Sequence, residues 1–287
     1  MTPGTATSRA IAAQTAAAAW RPEQLPPFPA IALKALNLIA GRDTSLLELC
    51  DLIRPDPAFS TAILKIANSS LVAFSRNISS VVQASMLLGF QRLKSVVITV
   101  GLRAYLHGPV APLLQSCWQH SVACALIAER AAANGGFDRD FAYTAGIMHD
   151  IGRVAMVATE PKLYAQMIEK EAAEPRDLLP REKELFGVDH SEAGGSLVKL
   201  WKLPDAFLEI ALRHHDFSGQ MGGMTSIVAH SCAMADSLGF GMMKYRAGRS
   251  YEETLSALPE AARKGFPKEA EASAAEIANE IRVIETA

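Results

Sequence analysis

The chain has 287 residues, with 28 Lys and Arg against 30 Asp and Glu, so its formal net charge is −2 and only 20% of its residues are charged. No basic run is long enough to neutralise a row of phosphates, so a duplex-binding domain driven by backbone contacts is excluded and no nucleic acid partner is expected. An apolar content of 49% excludes global disorder, and an alanine-rich composition with 7% aromatics favours helix over strand, so the expected fold class is all-α.

Four cysteines, Cys50, Cys117, Cys124 and Cys232, show no paired spacing and make no disulfide framework, which fits a reducing, cytoplasmic setting. Apolar runs such as Ser95 to Leu102 fall far short of the roughly 20 residues of a membrane span, so no membrane partner is expected. Residues 1–20 lack a charged start followed by a leucine-rich stretch and read as a flexible tail rather than a secretory signal.

Order is expected from the proline-rich lead-in Leu25 to Pro29, because those prolines forbid a helix interior and sit just before one. Helices then follow over Ile31 to Ala40, over Leu46 to Arg54 capped by Thr44 or Ser45, and from Pro57, where Phe59, Ile63 and Ile66 share one face. Val81 to Leu88 ends at Gly89, and Arg92 to Tyr105 ends near His107-Gly108-Pro109, the best internal boundary. Beyond it come Pro112 to Asn134, closed by Gly135-Gly136, then Asp140 to Asp150, Pro161 to Ala173, His190 to Trp201, Pro204 to His215 and Thr225 to Gly239. Pro267 to Glu285 is charged on one side and is expected on the outside. The expected organisation is therefore a tail (1–20), an N-terminal helical layer (21–107), a second helical layer (108–240) and a helical extension (241–287).

The chemistry concentrates in histidines and carboxylates of the second layer. In Met148-His149-Asp150-Ile151-Gly152-Arg153 the adjacent His and Asp lie about 100° apart and cannot share a helix face. At a helix end followed by Gly152 the second side chain can turn back, so that both reach one cation; a capping role remains open for the isolated pair. His120 sits on an apolar face with Leu113, Cys117, Cys124 and Ile127 and reads equally as a core histidine. Asp236 lies at i+4 from Cys232 on an apolar face, where a carboxylate needs a cation or several donors, an arginine among them. His190 could be a helix-start residue, and His214 and His215 could serve a helix C-terminus. His107 and His230 match nothing and are read as structural. A structural zinc on Cys117, His120 and Cys124 lacks a second Cys/His pair, so both thiols read as small apolar groups.

Four segments in chain order now carry a resemblance: Leu25-Pro26-Pro27-Phe28-Pro29, Ile53-Arg54-Pro55-Asp56-Pro57, Leu64-Lys65-Ile66-Ala67-Asn68-Ser69 and Ala84-Ser85-Met86-Leu87-Leu88-Gly89. Over about Leu25 to Gly239 the chain resembles the HDOD domain family, whose members are all-α and belong to the wider HD superfamily of metal-dependent phosphohydrolases. HDOD domains are regarded mainly as signalling or regulatory output modules. The second half is also similar to the HD-GYP phosphodiesterases. That resemblance implies a basic metal set of His120, His149, Asp150 and Asp236, with Asp150 bridging, and a second-ion set of His190, His214 and His215.

Three positions depart from those enzymes. Phe217-Ser218-Gly219-Gln220 follows Arg213-His214-His215-Asp216 with no Gly-Tyr-Pro element, which argues against cyclic-di-GMP hydrolysis. Arg153 stands where the motif usually has lysine, and the two are not interchangeable. Ser116 replaces the glutamate of trinuclear relatives, so one or two ions are expected rather than three. The resemblance thus implies an HDOD-type regulatory protein with a divalent metal (Fe, Mn, Zn or Ni), recognising a signalling protein partner or a small phosphorylated ligand. The alternative is a metal-dependent phosphohydrolase using Asp150 and Arg153. The amphipathic C-terminal helix also allows a homodimer. Asp56 and Asn68, the notable polar groups of the N-terminal layer, are expected to cap and pack tight helix connections.

Overall fold

The computed structural model describes residues 20–25, 30–40, 45–68, 78–105, 111–171, 178–217, 222–242 and 248–286. The expected tail up to residue 19, the prolines 26–29, Thr44, the His107-Gly108-Pro109 boundary and Ser218-Gly219-Gln220 lie outside them. Among the described residues there are helices and turns and no strand, as the composition implies.

The first layer comprises α1 (Ala30–Ala40), α2 (Leu46–Ile53), α3 (Pro57–Ala67) and α4 (Val81–Tyr105). Ser45 starts α2 with a capping box: its hydroxyl accepts from Glu48 N while the Glu48 carboxylate accepts from Ser45 N. Asp56 Oδ1 accepts from Phe59 N at 3.2 Å at the start of α3. Asn68, at its end, donates from Nδ2 to Leu64 O and Ile78 O and accepts from Ile78 N, tying α3 to the approach of α4. As expected, two helical stretches meet at Gly89, whose non-helical φ 75°, ψ 164° breaks α4 there, a conformation that a side chain would oppose.

The second layer is built on α5 (Ala111–Gly135), whose central stretch Val122 to Ala128 is buried on every side and so reads as uniformly apolar rather than amphipathic. Around it stand α6 (Arg139–Met148), α7 (Ile151–Thr159), α8 (Pro161–Glu171), α9 (Leu178–Phe186), α10 (His190–Leu200), α11 (Asp205–Arg213) and α12 (Gly223–Ala235). A single π-helical turn, Asp236–Phe240, follows α12. The extension holds α13 (Tyr251–Ala257), α14 (Glu260–Arg263) and α15 (Ala270–Thr286), the last clamped to α5 by Arg130, whose guanidinium bonds Glu276 and Glu280 at 2.7 Å each. Trp20 also docks on this layer, donating from its backbone N to Phe186 O and from Nε1 to Ser196 Oγ, both at 3.0 Å.

Two differences from the expected helices matter for the site. The single helix foreseen over Asp140 to Asp150 ends at Met148, with His149 as its C-cap and Asp150 as the N-cap of α7. The helix α9, which was not foreseen, brings a carboxylate into the core. No helix among the described residues is long and apolar enough to cross a membrane.

Candidate metal centre

The α6–α7 junction sets the geometry. Because the helix breaks between Met148 and Ile151, His149 and Asp150 leave the axis together and both enter the core, each 1% exposed. Close approach of flanking glycines makes room for them. A Cβ at Gly146 would stand 2.5 Å from Ala125 Cα on α5, and one at Gly152 would stand 2.0 Å from His190 O and 2.3 Å from Gly194 N on α10. Gly152 therefore serves helix contact rather than a turn of the chain, and it brings Asp150 beside His190.

Three buried histidines are oriented alike. His149 Nδ1 lies 2.6 Å from Gly146 O, and His214 Nδ1 lies 2.9 Å from Ala211 O. His190 Nδ1 lies 2.6 Å from Glu182 Oε2. Each Nδ1 is therefore the protonated nitrogen, and each Nε2 is turned inward with its lone pair. These inward nitrogens surround Asp150, whose Oδ1 is 3.4 Å from His190 Nε2 and 3.8 Å from His214 Nε2. His215 adds its Nε2 at 2.9 Å from that of His190, and His120 Nε2 lies 3.3 Å from that of His149.

Such nitrogen pairs fit a shared cation. Two imidazole nitrogens at about 2.1 Å from one ion are themselves about 3.0 to 3.4 Å apart in octahedral or tetrahedral geometry. The donors fall into three groups whose ligand atoms lie within 4.8 Å of one another: His149, Asp150 and His214; His190, His214 and His215; His120, His149 and Cys232. His214 and His149 each belong to two groups, but with Nδ1 protonated each has a single lone pair, on Nε2, and could serve only one ion. Both Asp150 oxygens and His214 Nε2 are buried without an aligned hydrogen bond, although Asp150 Oδ2 is ion-paired with Arg153 Nη1 at 3.0 Å. Unsatisfied buried acceptors of this kind are costly, and a cation removes the cost.

Electrostatics prepares the donors. Burial, then the neighbouring His149, lowers the pKa of His120 to about 3, and burial likewise lowers His149, His214 and His215. All four are neutral at pH 7, as metal ligands must be. Burial opposes ionisation of Asp150, but the Arg153 guanidinium 3.0 Å away outweighs it and holds the carboxyl well below its usual range.

Asp236 stands differently. It lies at the first residue of the π turn with a side chain 34% exposed, and its Oδ1 is 3.4 Å from His120 Nδ1, the nitrogen opposite the one facing His149. It enters none of the three groups, whereas Cys232, one turn earlier, does, with Sγ 3.5 Å from His120 Nε2. Burial raises the Cys232 thiol well above its usual pKa, so it would join a cation only by losing a proton to it. Cys117 and Cys124 face Met242 Sδ and Val228 O, and His230 Nδ1 pairs with Ser226 O at 2.7 Å.

Sequence reasoning missed Glu182, Tyr164 and Cys232. Glu182 accepts from Tyr164 OH, from His190 N at 2.9 Å and from His190 Nδ1, so one buried carboxylate fixes the tautomer and angle of His190. Its signal was present: Glu182 lies at i+4 from Leu178 and three before Leu185, on an apolar face. Within Arg181-Glu182-Lys183-Glu184 it looks like one more surface charge. A cavity of about 300 Å³ opens onto the cluster past Arg153, His215, Cys232 and Asp236.

The fold that carries these residues has known relatives. Residues 25–217, well over half of the chain, match the model of the HDOD domain. The chain belongs to the HDOD domain family. A solved HDOD domain protein of unknown function from Geobacter sulfurreducens superposes with a TM-score of 0.71 at 24% identity, covering 98% of this chain and 96% of its own. A candidate phosphohydrolase from Shewanella amazonensis superposes at 0.67 with 22% identity over 91% and 93% of the two chains. A candidate signal transduction protein from Marinobacter aquaeolei does so at 0.68 with 19% identity, covering 98% of this chain and 64% of its own. At these identities the HDOD fold is what is shared. An uncharacterised protein of Treponema pallidum is 24% identical over 200 residues, and this chain spans 38% of its length.

Proposed function

We propose that this HDOD protein has a signalling or regulatory role, that its histidine cluster binds one or two divalent ions, and that the adjoining cavity receives a small phosphorylated ligand. One observation carries the reading: His149, His190 and His214 spend Nδ1 on protein acceptors and turn Nε2 toward an Asp150 carboxylate that lacks aligned donors. Imidazole and carboxylate together suit Mn, Fe, Ni or Zn. The regulatory part rests on the first layer, where Asp56 and Asn68 are consumed by caps and offer no catalytic group. An ion held by the histidine cluster and Asp150 would supply Lewis-acid stabilisation of a phosphoryl oxygen and a water acidic enough to ionise near neutrality.

The residues of the chain divide the remaining work. His190 is held by Glu182, Asp150 balances charge at the centre, and Arg153 presents a guanidinium at the cavity wall while tethered to Asp150. Metal-dependent phosphoester hydrolysis is the second reading, favoured by the opening of that cavity beside Arg153 and the cluster. The test is metal content of the full chain purified without chelator, by mass spectrometry, for wild type and for the double variant His149→Ala, Asp150→Ala. Wild type is expected to hold one to two equivalents and the variant almost none. Absence of metal from wild type across Mn, Fe, Ni and Zn loading would overturn the reading. Turnover of phosphodiester and phosphomonoester substrates by the loaded protein decides between regulation alone and hydrolysis.

A further inference from the structure

Arg249 also lines the cavity, and its charge is held differently from that of Arg153. Arg153 is ion-paired with Asp150 and comes within 3.9 Å of Glu182. Arg249 instead lies 4.2 Å from the centroid of the Phe217 ring, which is itself set edge to face with His230 at 5.8 Å. Glu253, four residues on, uses its carboxylate in the capping box of α13, accepting from Ser250 N at 2.7 Å. Among the described residues no carboxylate forms an ion pair with Arg249. The contact with Phe217 is a cation–π one that leaves the guanidinium charged, and a guanidinium can grip a phosphate with two hydrogen bonds. The acidic side chain among the lining residues, Asp236, is directed at His120, and the charge of Arg153 is balanced by Asp150, so Arg249 is the lining cation whose charge no ion pair among the described residues takes up.

We infer that the cavity takes a small molecule carrying two phosphoryl groups, one toward Arg153 and the histidine cluster and the second on Arg249. This deepens the function proposed above and rests on it. A volume of about 300 Å³ suits a ligand the size of a nucleoside bisphosphate, with Leu178 and Met242 as apolar walls for its organic part. Arg249 is then the residue that distinguishes a doubly phosphorylated ligand from a singly phosphorylated one.

The test is calorimetric titration of the manganese-loaded full chain with orthophosphate, pyrophosphate and adenosine 3′,5′-bisphosphate. At least one doubly phosphorylated probe is expected to bind about ten-fold tighter than orthophosphate or better, a step of about 1.4 kcal/mol. Arg249→Ala and Arg249→Gln are expected to abolish that advantage while leaving orthophosphate affinity and metal content unchanged. The inference is overturned if wild type shows no advantage for either probe, if the variants keep it, or if they weaken orthophosphate equally. Loss of metal from wild type would instead overturn the function on which the inference rests, and the metal measurement separates the two failures.

Discussion

The two helical layers treat their buried and half-buried polar groups in opposite ways. In the first, every atom of the Asn68 amide that can bond is matched to a backbone partner on Leu64 or Ile78, and Asp56 closes the start of α3. In the second, His149, His190 and His214 satisfy Nδ1 within the chain; His214 Nε2 and both oxygens of Asp150, a carboxylate at 1% exposure, lack an aligned partner, while His190 Nε2 also lies 3.0 Å from Arg153 Nη2. A polar group fully paired within the chain reports on folding, and a buried one left with unspent valence reports on something the chain is built to receive. Buried polar atoms without a partner also occur elsewhere, Ser85 Oγ in the first layer and Trp118 Nε1 in the second among them, but those belong to neutral groups, and it is the charged carboxylate among clustered imidazoles that marks the site.

The contrast can be broken most severely at Gly152. A Cβ there would lie 2.0 Å from His190 O and 2.3 Å from Gly194 N, both backbone atoms that no rotamer change can move aside. Gly152→Ala is expected to cost about 3 kcal/mol or more by forcing α7 from α10, and to abolish metal binding with it. Thermal unfolding of the variant alongside metal content checks this. A variant that melts like wild type and keeps its metal would mean that α7 and α10 are not held at this distance.

A smaller and more selective effect is expected at Glu182. Burial opposes its ionisation, but His190 and Arg153 outweigh that and keep it charged, so Glu182→Gln removes the charge and one of the two acceptor oxygens that serve His190 and Tyr164 while keeping volume. Stability should fall by about 2 kcal/mol, the scale of a hydrogen bond to a charged group. Metal affinity should fall about 10- to 100-fold, the usual consequence of losing a partner behind a ligand histidine. Competition with a chelator of known affinity measures the second effect, and unchanged affinity would show that His190 is not held for metal binding.

How much of this was legible in the sequence follows from how local each signal is. His149 and Asp150 are adjacent, and His214 and His215 sit at a helix end, so chemistry was readable there from a few residues. The helix end at His149-Asp150 was read too, from the Gly152 that follows, though two residues late; what was not readable is the packing of Gly152 on Gly194, residues 42 apart in the chain. Cys232 passed for a small core residue, since only its approach to His120 from a different helix gives it another role. Arg249 shows nothing locally; its stacking on Phe217 brings together side chains from either side of α12. The break at Gly89 was legible because glycine alone takes the positive φ found there without strain.

The smallest effect is the one that sharpens the comparison between the layers. Asn68→Ala leaves the backbone N–H and C=O of Ile78 without their side-chain partner in a partly exposed connection where water can substitute. The expected loss is about 1 kcal/mol, typical of one or two such bonds. Metal content and metal affinity should stay at wild-type values, because no atom of Asn68 faces the cluster. Measuring both on one sample is decisive: a loss of stability alone places Asn68 in the scaffold. A fall in metal affinity with unchanged stability would instead mean that the first layer communicates with the centre through the α3–α4 connection, and the division of labour drawn from the hydrogen bonds would have to be given up.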